Sequence, residues 1–216
     1  MVGSIFLSAS VPDPSRSAEF AATADTVAIR AAISAIVYVV LGRRRLVFGG
    51  HPAITPMIWP IAEDLTVDYG DWVKLYQSRY FEDDFPEDNA KYQNVRYTDP
   101  VGGSLSDSLK IMRAAMFGEN SFDAAVFIGG MSGILDEFEM LKAAQPNVKM
   151  FPVASTGGAA LKLFQEFHGY SNTLLSDLSY VPLFHQLLEI PVTEIRYQKP
   201  ELQPQNADKR QWKSSD

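Results

Sequence analysis

VFIGGMSGILDEFE, residues 126–139, opens as an unbroken apolar run, breaks on a glycine pair and continues with helical spacing. That order reads as a buried strand, a tight turn and a helix. Two other stretches repeat it, VFGGHP at 47–52 and FPVASTGGAA at 151–160, and LSAS at 7–10 closes a fourth apolar run with small hydroxylated residues. Outward from these, the first strand is read at Ile5–Ser8, before Pro12, Asp13 and Pro14 and an Ala-rich helix from about Ser17 to Leu41. A second strand, Arg45–Phe48, precedes a helix over roughly Ala53–Tyr69, and Val73–Gln77 is a third strand. Ser78–Gln93 is an acidic, aromatic excursion without periodicity; Val95–Tyr97 is a fourth strand and Ser104–Phe117 a helix. Ala124–Ile128 and Lys149–Val153 complete six strands, with helices to Ala144, to Phe167 and over Val181–Leu188. Strands alternating with helices predict a three-layer αβα Rossmann-like fold around a mostly parallel sheet. One domain over 1–197 is expected, with a polar, disordered tail over 198–216.

Composition limits the chemistry. The 216 residues include no cysteine, which excludes disulfides, thiolate metal sites and a cysteine nucleophile. A net charge of −7 argues against a general nucleic-acid partner, because such binding rests on neutralising phosphates. The apolar run Ala31–Leu41 is eleven residues long, and a bilayer span needs about 20. It is internal, unlike a signal peptide, so it is read as the buried side of a helix. A cytoplasmic protein with no cofactor and no metal is expected.

In a parallel sheet ligands bind beyond the carboxyl ends of the strands, which is where the glycine pairs fall. Glycines allow close approach, and the next helix presents unpaired N–H groups and a positive dipole end, so such loops suit phosphate. Gly49-Gly50, Gly129-Gly130 and Gly157-Gly158 are therefore candidate phosphate contacts, although glycines also punctuate helix entries and none of the three matches a P-loop or GxGxxG. Ser8, Ser10, Met131, Gly133 and Thr156 share these loops. His51, next to a glycine pair, is a candidate phosphate or ribose partner, with helix entry as the alternative. Arg113 lies in SLSDSLKIMRAAMF, whose core stripe is read as Leu105, Leu109, Met112 and Met116. Arg79 and Arg96 are further cations, and Tyr76, Tyr80, Phe81, Tyr92 and Tyr97 could stack on a base or bury the excursion.

VFGGHPAITPMI, IGGMSGILDEFEMLK and PVASTGGAA together resemble the SLOG superfamily of Rossmann-like nucleotide-binding domains over about residues 4–190. GGHPAITP and TGGAA are more similar to its sensor-type branch, represented by the Thoeris antiphage effector, than to its phosphoribohydrolases. The resemblance implies a nucleotide or NAD-derived ligand such as an ADP-ribose species, a role in antiphage defence and at least a dimer. It also implies action through a separate effector or through assembly, with the Ala31–Leu41 helix as one possible face between copies. Phosphoribohydrolases carry Pro-Gly-Gly-x-Gly-Thr-x-x-Glu; here Ile128 replaces the proline, one residue is inserted before Gly133, Ile134 replaces the threonine and Glu137 matches the glutamate. In the binding reading Glu137 accepts from ribose hydroxyls and the Gly129–Gly133 amides hold a phosphate. In the alternative, an N-glycoside-cleaving enzyme of the nucleoside 5′-monophosphate phosphoribohydrolase type, Glu137 is the catalytic carboxylate and Arg113 holds phosphate.

Overall fold

Strands β1 (Ser4–Ser10), β2 (Arg45–Gly49), β3 (Val73–Ser78), β4 (Val95–Thr98), β5 (Ala124–Gly129) and β6 (Lys149–Val153) form one sheet ordered β4-β3-β2-β1-β5-β6. Every adjacent pair is parallel, in a computed structural model that describes residues 2–212. The expected Rossmann-like three-layer α/β architecture is the one observed. Alternation along the strands sorts the core. Ile5 and Leu7 of β1 face one layer while Phe6 faces the other, and Val126 and Phe127 of β5 divide the same way.

One layer holds α2 (Thr26–Val40), α3 (Thr55–Asp64), the one-turn α4 (Tyr69–Trp72) and α8 (Thr173–Ser176), and α9 (Tyr180–Leu187). The other holds α1 (Ala18–Thr23), α5 (Leu105–Glu119), α6 (Ser132–Ala144) and α7 (Gly158–Glu166). Phe6 anchors this second layer, edge-on to Phe117 at 5.2 Å and to Phe127 at 6.2 Å.

Four differences from the sequence reading have local causes. The helix expected over Ser17–Leu41 is two helices, because Asp25 leaves helical geometry to cap α2, accepting from Val27 N and Ala28 N at 2.9 Å each. The helix expected to reach Tyr69 stops at Asp64, and Thr66 turns the chain with a positive φ of 54°. The apolar stripe of α5 does not include Leu105, which is exposed; Ser108 is buried there instead, its hydroxyl donating to Ser104 O at 2.6 Å. The apolar side of α2 is covered by α3 and α9 of the same chain, with Ile29, Ile33 and Ile36 fully buried, so it is not a face for a second copy.

The stretch from Gln198, expected as a disordered tail, is tied to the body as far as it is described. Gln198 O accepts from Trp72 Nε1 at 2.8 Å, and the buried Gln203 donates to Arg43 O at 2.9 Å. It has little apolar surface and is held by hydrogen bonds to the turns at the amino edge of the sheet. The last four residues of that expectation lie outside the described residues. Among the described residues no helix is long and apolar enough to cross a membrane.

Candidate functional site

The strand order reverses at β1: the chain runs outward through β2, β3 and β4, then crosses back to place β5 on the other side. A crevice opens at such a switch point beyond the carboxyl ends. A cavity of about 310 Å³ lies there, lined by the ends of β1, β2 and β3, by α5, by the start of α6 and by part of the acidic excursion. Ser8, Ser10, Gly49, Gly50, His51, Arg113, Met131, Gly133 and Glu137 all line it.

At its centre Glu137 is fixed from both sides. Ser8 Oγ donates to Glu137 Oε2 at 2.5 Å, and Arg113 Nε lies 3.2 Å from Oε1. The same guanidinium reaches Asp136 Oδ2 at 3.3 Å and Gly133 O at 3.2 Å. The Arg113 and Glu137 side chains are 10% and 14% exposed, against 62% for Asp136, so the Glu137 pair is the one shielded from water. Period-two alternation puts Ser8 on the same face of β1 as Phe6, toward α6, and one helical turn carries Glu137 from Gly133 to meet it. Gly49 leaves room there: a Cβ at that position would lie 3.8 Å from Glu137 Oε1.

Helix α6 begins at Ser132, and its first-turn N–H groups have no acceptor within the helix. Ile134 N donates to Met131 O at 2.9 Å, while Ser132 and Gly133 present theirs where the cavity begins. Arg16, in the loop after β1, brings a guanidinium to the same cavity, and it makes no ion pair among the described residues. Together they form a locally positive end in an acidic protein.

His51 accepts from Ala53 N at Nδ1, 3.2 Å away, which leaves the proton of the neutral ring on Nε2 as a donor. Burial, helped by the charge of Arg16, pushes its pKa down to about 4. The folded state therefore resists protonating this ring, whereas the unfolded chain takes the proton near pH 6.5. Its contribution to stability is complete above about pH 6.5 and falls as the pH drops toward about 4. Urea denaturation between pH 7 and pH 4 should show that decline. His51→Gln should flatten it, and an unchanged slope would remove His51 as its source.

The glycine pairs divide in a way the sequence does not show. Gly50 N donates to Tyr76 O at 2.8 Å, Gly129 N to Thr156 Oγ1 at 2.8 Å, Gly157 N to Ala154 O at 2.9 Å and Gly158 N to Thr23 Oγ1 at 3.1 Å. Those four amides are occupied within the chain. Gly129, Gly130, Thr156, Gly157 and Gly158 do not line the cavity; they form the layer behind it. A Cβ on Gly157 would fall 1.9 Å from Thr23 O, and one on Gly158 would fall 2.8 Å from Gly130 O. Gly157 and Gly158 are needed because backbone packs on backbone there, whereas a Cβ on Gly129 or Gly130 would first meet the Ile29 or Ile134 side chain.

Arg79 and Arg96 lie outside the cavity: Arg79 sits over the Tyr97 ring at 5.4 Å, and Arg96 pairs with Glu119 at 3.1 Å. His185 Nδ1 is within 2.7 Å of Ile190 O, and among the described residues no group of three His, Cys, Asp or Glu is placed to hold a metal. Arg16, Gln77, Asp84 and Ser132 also line the cavity and were not singled out as site residues. Arg16 follows a Pro-rich turn and Gln77 ends a strand; only strand order, which juxtaposes those loops, could have marked them.

No curated protein and no solved structure matches the chain. A family model does, the SLOG cluster3 family, over residues 19–188. That span runs from α1 to the end of α9 and takes in β2 to β6, the switch-point loops after them and Glu137. The chain belongs to the SLOG cluster3 family, a membership that suggests a nucleotide-related function.

Proposed function

We propose that the switch-point cavity binds a nucleotide or NAD-derived ligand of the ADP-ribose type. The observation that carries this reading is the convergence in one cavity of the α6 N-terminus, an Arg16 that makes no ion pair among the described residues, and a Glu137 carboxylate held by Ser8 and Arg113. Phosphate is suited to the Ser132 and Gly133 amides and Arg16, and ribose hydroxyls to Glu137, Ser10 and His51. Of the phosphate contacts first expected at Gly129–Gly133 and Gly157-Gly158, the Ser132 and Gly133 end is kept, because the amides of Gly129, Gly157 and Gly158 already have acceptors.

N-glycoside cleavage, the alternative, would use Glu137 as its carboxylate and Arg113 as its phosphate ligand. Both oxygens of Glu137 already accept hydrogen bonds, and Arg113 is turned toward Glu137, Asp136 and Gly133. This favours positioning over proton abstraction, and so binding over hydrolysis. The sensor-type resemblance extends the proposal to antiphage signalling by assembly of copies or through a separate effector, on a surface other than α2.

A thermal-shift panel of AMP, ADP-ribose and NAD tests the reading. A ligand at a hundred times its Kd stabilises by about 2.7 kcal/mol, which raises Tm by roughly 5–10 °C for a chain of this size. Glu137→Gln should abolish that shift. If no nucleotide moves the wild-type Tm the proposal fails, and free base released from AMP, then lost in Glu137→Gln, would establish the hydrolase instead. Light scattering with and without the stabilising nucleotide tests assembly.

A further inference from the structure

The carboxyl end of β3 and the turn after it bring to the cavity two polar groups without a partner among the described residues. Gln77 is 5% exposed, lines the cavity, and its Oε1 has no hydrogen-bond partner. A buried amide left unpaired is unfavourable, yet the neighbouring strand is shaped to keep it. A Cβ on Gly50 would fall 1.5 Å from Gln77 Oε1 and 2.5 Å from its Cδ, so any side chain at position 50 would eject the amide. The second group is Asp84, which lines the same cavity and makes no ion pair among the described residues. Phe81, Pro86, Leu109 and Met112 supply apolar walls.

The positive end of the cavity lies at the start of α6, after β5. Three strand spacings, roughly 14 Å, separate β5 from β3. A phosphate at that end leaves the β3 side for the uncharged part of the ligand, and the Asp84 carboxylate requires this, since it would repel an anion and attract N–H donors. An amide reads a purine edge through one donor and one acceptor, and a carboxylate accepts from an exocyclic amine. We propose that Gln77 and Asp84 form a subsite for an amine-bearing nucleobase, flanked by Phe81, with adenine the base that agrees with the ADP-ribose-type reading. The subsite rests on the nucleotide reading above and adds base selectivity to it.

Isothermal titration of the full chain with AMP and with IMP decides it, because IMP has an oxo group in place of the amine at C6 and an N1–H in place of the bare N1. The wild type should bind AMP about tenfold or more tightly than IMP. Asp84→Ala and Gln77→Leu should each bring that ratio to within about twofold, and Gln77→Leu should melt no lower than the wild type, since it removes the unpaired amide. Asp84 is exposed, so its variant keeps the fold and decides the matter should Gln77→Leu not fold. Equal wild-type affinities, or a ratio that survives substitution, overturn the subsite while nucleotide binding stands. Binding of neither mononucleotide overturns the subsite too, and a thermal-shift panel in which no nucleotide acts overturns the reading beneath it as well.

Discussion

Arg113→Ala is expected to destabilise the protein by about 3–5 kcal/mol, the cost of removing one partner from a shielded ion pair. Glu137, 14% exposed at its side chain, would keep only the Ser8 hydroxyl for its charge, and Gly133 O would lose its side-chain donor. At this chain length the fall corresponds to a Tm lower by roughly 10 °C. Asp136→Ala breaks a contact of nearly the same length, 3.3 Å, but on a carboxylate that is 62% exposed. It should change stability by about 0.5 kcal/mol or less. The double variant Arg113→Met/Glu137→Leu should recover most of the loss, because no unpaired charge remains in the shielded layer. Urea denaturation of the four proteins reads the cycle. If Arg113→Ala and Asp136→Ala cost the same, shielding is not what gives the Arg113–Glu137 pair its weight. Arg113→Lys, which keeps the charge and loses the fork, should fall between wild type and Arg113→Ala.

Gly157→Ala should be comparably severe for a different reason. Gly157 has φ 70° and ψ −157°, a conformation close to glycine-only, and occupying it with another residue costs about 1–3 kcal/mol. The added Cβ would also fall 1.9 Å from Thr23 O and 2.9 Å from Ala24 Cα, backbone atoms that cannot swing aside. Asp25 N, which donates to Thr156 O at 3.2 Å, would be pulled from its acceptor as the α1–α2 break moved. A total loss of about 4 kcal/mol or more is expected. Gly102→Ala is the control: its φ of +52° carries the same kind of backbone cost, but nothing lies within 4 Å of the new Cβ. It should lose only about 1–2 kcal/mol. A Gly157→Ala chain that stays as stable as wild type and fails only to bind nucleotide would return this loop to the ligand.

How far the sequence could be read follows from the range of each interaction. Ala124–Ile128 was legible as a strand because both faces of β5 are buried, so it shows as a continuous apolar run. Ser8 and Glu137 were legible as residues of one site because strand ends of a parallel sheet share one edge, and both line the cavity. Their mutual contact was not, since it spans 129 residues and depends on β1 lying beside β5. The break at Ala24–Asp25 was hidden because helix propensity is continuous there, and the acceptor that draws Asp25 N out of the helix is Thr156 O on a distant loop. Gln77 gave no signal because a glutamine ending a strand is ordinary; its meaning comes from Gly50 beside it and from the absence of a partner.

The opening stretch, VFIGGMSGILDEFE, determined by itself that a strand delivers its carboxyl end to a helix N-terminus with Glu137 one turn inside that helix. It also placed any ligand at that edge of the sheet, because local periodicity sets strand and helix and parallel connection sets the edge. Which donors are left without an acceptor within the chain was decided only by tertiary structure. The Gly129 amide is occupied by Thr156 and the Gly158 amide by Thr23, while Ser132 and Gly133, whose amides have no acceptor within the helix, line the cavity. A backbone N–H has one bond to give, and its acceptor here comes from a segment far along the chain.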